Sequence, residues 1–419
     1  MTTSPPMVDK ARWPDVAAVP RSRFRASVAA LLVRRVAARL PLRVQYPDGR
    51  IVGSTPDSPI LRVRDEQAFH RRLGTAGLVG FGEAYQAGDW ETDDLPALLA
   101  VFADNVERIV PSSLQWLRHF HGARFPAEET NTLDGAKRNI HRHYDLSNEL
   151  FSLFLDDTMT YSAALFDSPL RGGEVPSFDR LADAQRRKID RLLDQTGVTD
   201  GSRVLEIGTG WGELAIRAAQ RGATVHTVTL SAEQRALAIE RAERAGVADR
   251  ITVELRDYRE IAGERAYDAI LSVEMIEAVG ERYWPTYFAT LDRLLAPGGR
   301  IGIQAITMPH DRMRASRKSY TWMHKYVFPG GLIPSLPAIE KILARHTGLR
   351  VADRFAFGEH YAETLRLWRE RFTANASQVT RAGFDSTFGR TWKLYLAYCE
   401  AGFSTGYLNV YQLVMEPAR

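Results

Sequence analysis

The sequence predicts an α/β protein, a Rossmann-like doubly wound sheet with a smaller N-terminal α+β domain, on three observations. The run VLEIGTGWG, Val204 to Gly212, is an apolar strand ending in an acid, Glu206, and glycines at 208, 210 and 212. Four more strand-and-helix units follow it. The length, 419 residues, is enough for two domains with a large core. Closely spaced glycines let a backbone turn sharply and approach a ligand without an intervening side chain. No Lys-Ser or Lys-Thr follows them, so the phosphate-gripping loop of an NTPase is excluded; a dinucleotide or S-adenosylmethionine (SAM) remains.

The elements follow in order. ELAIRAAQ is the helix after the glycines, and ATVHTVTLSAEQ is a second strand ending at Thr229, then a helix from about Ser231 to Ala245. A dinucleotide site usually has an acid at this strand end, roughly 20 residues past the glycines. Here Thr229 and Gln234 stand there, which favours SAM. ITVELRDY brings Asp257 and Tyr258 to the end of a third strand, where an adenine can be bracketed. YDAILSVEMIEAVG is the fourth strand, and LLAPGGRIGIQAI supplies a helix end, a Pro-Gly-Gly turn and the fifth. Such sheets bind ligands at the carboxyl ends of their strands.

Ahead of this lies a different organisation. Residues 1 to about 20 are Pro-rich and expected to be disordered. LPLRVQYPDGRIVG reads as two strands around an Asp-Gly turn, ILRVRD as another strand and QAFHRRLG as a helix. This unit is expected to cover residues 1–125 and to be the part that meets lipid or membrane, with FPAEETNTLDGAKRN as linker and a catalytic domain over 126–419. A single cysteine, Cys399, rules out an internal disulfide, and the first residues lack a secretory core, so a cytoplasmic protein is expected.

Net charge is only +4, but Arg21 to Arg43 holds seven arginines (21, 23, 25, 34, 35, 39, 43) and no acid. Phe24, Val28, Leu31, Leu32 and Val36 recur among them at helical spacing, giving a greasy face with cationic flanks. Taken alone, the helix is best read as packing that stripe on its own domain. A membrane surface becomes the better reading if the substrate is a lipid; nucleic acid is not expected as a partner.

The segment NIHRHYDLSNELFSLFLDDTMTYSAALF, residues 139–166, with EIGTGWGE, VTLSAEQ, SVEMIEAVG, YVFPGGLIPS and YLAYCEAGF, resembles the cyclopropane-fatty-acyl-phospholipid and mycolic-acid cyclopropane synthases. The resemblance covers nearly the whole chain, including GEAYQAGDW. It implies SAM-dependent methylation of the cis double bond of unsaturated acyl chains in phospholipids, by an enzyme peripheral to the inner face of the membrane. It also implies a class I SAM-dependent methyltransferase fold, with Tyr161 and Ser162 as a lid over SAM, Gly208, Gly210 and Gly212 as the cofactor loop, Thr229, Leu230, Ser231 and Gln234 at the ribose-side strand end, and Tyr258 and Arg259 flanking adenine. The family's base is a bicarbonate held by a cysteine, a glutamate, a histidine, a tyrosine and a backbone amide. By motif Glu277, Tyr361 and Ile306 keep three of these places. Ala163 stands for the cysteine, Gln304 for the histidine, and Ala278 for a histidine that commonly follows the glutamate.

An anion is therefore expected to bind loosely, or Glu277, or Glu149 of HYDLSNELF, to act as the base itself; Cys399 matches another family cysteine. No metal is expected. The depleted shell favours a methylene-branched product, which a separate reductase would convert to a methyl branch, over a cyclopropane. Two rival readings are a non-catalytic lipid-binding scaffold for an oxidoreductase and a small-molecule methyltransferase. Retention of Glu277, Tyr361 and the glycine loop disfavours the first; the N-terminal domain and the apolar and aromatic residues after Tyr320 disfavour the second.

Overall fold

A computed structural model describes residues 8–53, 56–105, 132, 135, 147–167, 170, 175–317 and 319–418. The expected linker, apart from residues 132 and 135, and the motif residues 139–146 lie outside the described residues. The chain forms two compact units, one of residues 1–125, 318–327 and 369–407, the other of 126–317, 328–368 and 408–419. The expected single span from 126 to the end is thus divided, because Lys318–Val327 and Arg369–Tyr407 pack with the N-terminal residues.

In the first unit β1 (Arg43–Gln45) pairs antiparallel with β2 (Ile51–Val52) across the Asp48-Gly49 turn, where Gly49 has φ +85°. β3 (Ile60–Val63) lies parallel to β1, and β4 (Trp90–Glu91) closes the small sheet. Residues 13–17, expected to be disordered, are instead held: Trp13 Nε1 donates to Asp385 Oδ2 at 2.8 Å and Val16 is fully buried. The basic segment is a helix, Arg23–Ala37, capped by Ser22. Its buried residues are Ala29 and Ala37, while Phe24, Val28, Leu31 and Leu32 are exposed. Small residues make the packed face, so the greasy stripe is not the one that faces the unit's core.

The second unit is built on a seven-stranded sheet. β5 (Arg203–Ile207), β6 (Thr224–Thr229), β7 (Ile251–Leu255), β8 (Tyr267–Val273), β9 (Leu295–Thr307), β10 (Leu349–Ala356) and β11 (Asn409–Pro417) lie in the order β10-β11-β9-β8-β5-β6-β7. β7 through β9 are parallel; β11 runs antiparallel between β9 and β10. The Pro-Gly-Gly segment is absorbed as a register shift at the start of β9 rather than forming a separate turn. Alternation along β5 serves both faces: Val204 packs with Leu192, Leu214 and Ala218, and Leu205 and Ile207 with Trp284, Phe288 and Leu291 on the other side. Strand order reverses between β5 and β8, which opens a crevice at their carboxyl ends.

Candidate active site

The glycine loop follows β5. Gly208, Gly210 and Gly212 have φ of +96°, +52° and +91°, values that other residues adopt only at a cost. They differ in surroundings. A Cβ on Gly212 would sit 3.1 Å from Ala238 Cβ, a packing constraint, whereas a Cβ on Gly210 would meet nothing within 4 Å. Gly210 therefore faces open space, the room a cofactor would take. The loop is braced from below: Thr227 Oγ1 donates to Glu206 Oε2 at 2.6 Å and lies 2.7 Å from Thr209 Oγ1. Glu206 is deep in the unit, and burial raises its carboxyl to about 8. Its contacts position the loop.

At the end of β6, Thr229 Oγ1 donates to Gln234 Oε1 at 2.9 Å, and Ser231 caps the helix Ala232–Arg244 by accepting from the Gln234 amide; Leu230 lies between them, half-buried. Past β7, the Asp257 carboxylate grips the Arg259 guanidinium at 2.8 and 2.7 Å, and Tyr258 packs edge-on against Tyr287, 5.4 Å away. Tyr258 is thus largely a core aromatic, with the Asp257–Arg259 pair beside it. Over the loop sits the helix Asn148–Ser152. Asn148 Oδ1 accepts from Trp211 Nε1 at 2.7 Å, and Phe151 packs against both Trp211 and Tyr161. Leu150 and Phe151 face inward; Glu149, between helix turns on the other side, is exposed and is not brought to the cluster below. Cys399 lies in the helix Ser386–Ser404 of the first unit.

Across the crevice, β8 ends at Val273 and the chain turns through Glu274 into the short helix Ile276–Val279. Glu277 Oε1 accepts from the Ile306 amide, while its Oε2 is buried without a partner among the described residues. Burial, then the neighbouring Glu274 charge, pushes the Glu277 carboxyl up to about 8. Sequence reasoning missed Glu274. Its Oε1 accepts from the Ala163 amide at 2.9 Å and from Gln304 Nε2 at 2.8 Å, and its Oε2 from the Tyr361 hydroxyl at 2.7 Å. Gln304, 1% exposed, is held in turn by Gln412 Nε2, and Gln412 by Arg191. Lys188, also overlooked, is buried with Nζ on the Ser162 hydroxyl; burial lowers it to about 8 against the pull of Glu274 and Asp156. The signal for Glu274 was present as a second acid in SVEMIEAVG, three residues before Glu277.

Glu274 has φ +50°, a left-handed conformation that costs a side-chain-bearing residue roughly 1–2 kcal/mol. Three hydrogen bonds to a carboxylate, at roughly 1.5–3 kcal/mol each, outweigh that strain. The same contacts decide whether bicarbonate fits. Of the expected cradle, the Gln304 side chain and the Tyr361 phenol donate to Glu274, as does the Ala163 amide, and the Ile306 amide donates to Glu277. These residues do not fit a bicarbonate ion.

A doubly wound sheet, a glycine loop open to a cofactor and two carboxylates at its switch point define a class I SAM-dependent methyltransferase. The family model for mycolic acid cyclopropane synthetase matches residues 131–413. The chain is 54% identical to tuberculostearic acid methyltransferase UfaA1 of Mycobacterium tuberculosis over 97% of its own length and 95% of that protein's. It is 33% identical to cyclopropane-fatty-acyl-phospholipid synthase of Escherichia coli over 87% and 89%. Its fold matches the solved mycolic acid cyclopropane synthase CmaA1 complexed with SAH and CTAB, with a TM-score of 0.59 and 28% identity over 67% of this chain and 97% of that one. The chain belongs to the mycolic acid cyclopropane synthetase family.

Proposed function

We propose that this enzyme methylates the cis double bond of unsaturated fatty-acyl chains in phospholipids and releases a methylene-branched chain. The observation that carries it is the carboxylate pair, Glu274 and Glu277, set beside an open glycine loop at the carboxyl edge of the sheet. SAM supplies an electrophilic methyl there, held by Gly208, Gly210, Gly212, Thr229 and Gln234. Attack by an alkene leaves a carbocation, and fixed negative charge together with aromatic faces stabilises it. Tyr161, packed on Phe151, Phe154 and Trp368, supplies such a face. The aromatic wall also keeps water from the cation.

Ala163 and Gln304, in place of a thiol and an imidazole, favour the methylene product over the ring. So does the higher identity to a relative named as a methyltransferase, 54% against 33% for the cyclopropane synthase. A separate reductase would complete the branch. The lipid is met at a membrane surface by the helix Arg23–Ala37, whose exposed Phe24, Leu31 and Leu32 are flanked by exposed arginines. The attachment in this reading is peripheral, at the inner face; among the described residues no helix is long and apolar enough to cross a membrane.

The test is expression with labelled methionine in a host making only simple unsaturated chains, followed by proton NMR of the labelled lipids. Vinylic methylene signals are expected. Ring protons alone would replace this reading with the cyclopropane one, and absence of any labelled acyl chain would reject both.

A further inference from the structure

We infer that Glu274 is the base of the reaction, a carboxylate supplied by the chain where the family resemblance calls for a dissolved anion. The inference rests on the function proposed above. It stands on three observations. Donors from three separate elements, the Ala163 amide, Gln304 on β9 and Tyr361 on the helix Gly358–Ala374, converge on one carboxyl group. The backbone accepts a left-handed conformation to deliver that group. Strain of this kind persists where the surroundings over-determine it, and it clusters at reacting centres. Finally, the other groups of the cluster are placed differently: Glu277 has one oxygen on the Ile306 amide and the other buried with no donor among the described residues to hold it as a carboxylate, Lys188 is on the Ser162 hydroxyl, and Tyr361 is itself a donor to Glu274.

The step balances without a co-reactant. The alkene π pair forms the new carbon–carbon bond as the carbon–sulfur bond breaks and its pair returns to sulfur. One alkene carbon is left cationic. A hydride moves to it, with its pair, from the newly methylated carbon, and the positive charge passes to that carbon. A Glu274 oxygen then takes a proton from the new methyl group, and the freed pair becomes the exocyclic double bond. The sulfonium charge and the carboxylate charge cancel, leaving a neutral sulfide, a neutral lipid alkene and a protonated Glu274 that returns its proton to solvent.

Three measurements on the full chain with unsaturated phospholipid vesicles test it, with SAM affinity by titration calorimetry as the check on loading. Wild-type turnover in buffer purged of carbon dioxide should equal that with added bicarbonate. Glu274→Gln should lose at least about 10²-fold in turnover, the lower bound for a general base, with unchanged SAM affinity. Glu274→Gly should be equally slow, since it frees the three donors without backbone strain, and should recover with added formate or bicarbonate. A wild type that stalls without carbonate and recovers with it overturns the inference, whether or not a variant folds. So does Glu274→Gln that binds SAM and turns over at the wild-type rate. Failure of the wild type to methylate any unsaturated lipid under either condition would instead reject the functional reading itself.

Discussion

The helix Arg23–Ala37 can be separated into greasy and charged contributions. Phe24, Leu31 and Leu32 are 79%, 65% and 54% exposed, so seating them in a bilayer removes the equivalent of about two full side chains from water. At about 1.5–3 kcal/mol each, that is roughly 3–6 kcal/mol. Arg35 and Arg39 are exposed too and add about 1 kcal/mol each near anionic lipid. Phe24→Ser/Leu31→Ser/Leu32→Ser should therefore weaken sedimentation with vesicles by on the order of 10²-fold or more, at any salt concentration. Arg35→Glu/Arg39→Glu should weaken it by at least about 30-fold at low salt and progressively less at high salt. The melting temperature should hold in both, because none of the five side chains lies in the core. Cosedimentation with anionic and zwitterionic liposomes checks this. If both variants sediment like the wild type, the helix does not carry the membrane contact.

Three further outcomes are expected. Gly210→Val should abolish SAM binding in calorimetry while unfolding only a few degrees lower, since its Cβ enters open space; Gly212→Ala, driven into Ala238, should chiefly destabilise the fold. Tyr361→Phe removes a hydrogen bond that favours the charged form of Glu274, so the rising limb of the rate–pH profile should move to higher pH and turnover at pH 7 should fall. Glu206, whose folded carboxyl is raised to about 8, binds its proton more tightly in the native state, so stability should decline as pH rises from about 4.5 to 8; Glu206→Gln should flatten that decline in melting curves.

The parallel core was legible because each strand ends in punctuation: Gly208 after β5, Ser231 after β6, Asp257 after β7. β10 and β11 were not, since they follow helices with no glycine fingerprint and β11 pairs with a strand some hundred residues earlier. Packing of Lys318–Val327 and Arg369–Tyr407 with the N-terminal residues is likewise invisible to local pattern. At the site, motif pointed to Glu277, Tyr361, Gln304 and Ile306, and the hydrogen bonds of Glu274 and Glu277 bring these four together. Glu149 was misjudged because a five-residue helix carries too little periodicity to say which side faces in. Glu274 was passed over because an acid at a strand end reads as an ordinary polar turn; only its three donors in space reveal its place.

The left-handed backbone at 274 has a consequence for how such enzymes diversify. It is a conformation that glycine adopts freely, and glycine and glutamate codons differ by one nucleotide. With glycine there, the three donors would face a space open to water or a dissolved anion; with glutamate, the anion is tethered. On this reading, catalysis that draws on the cell's carbonate pool and catalysis independent of it are a single mutation apart.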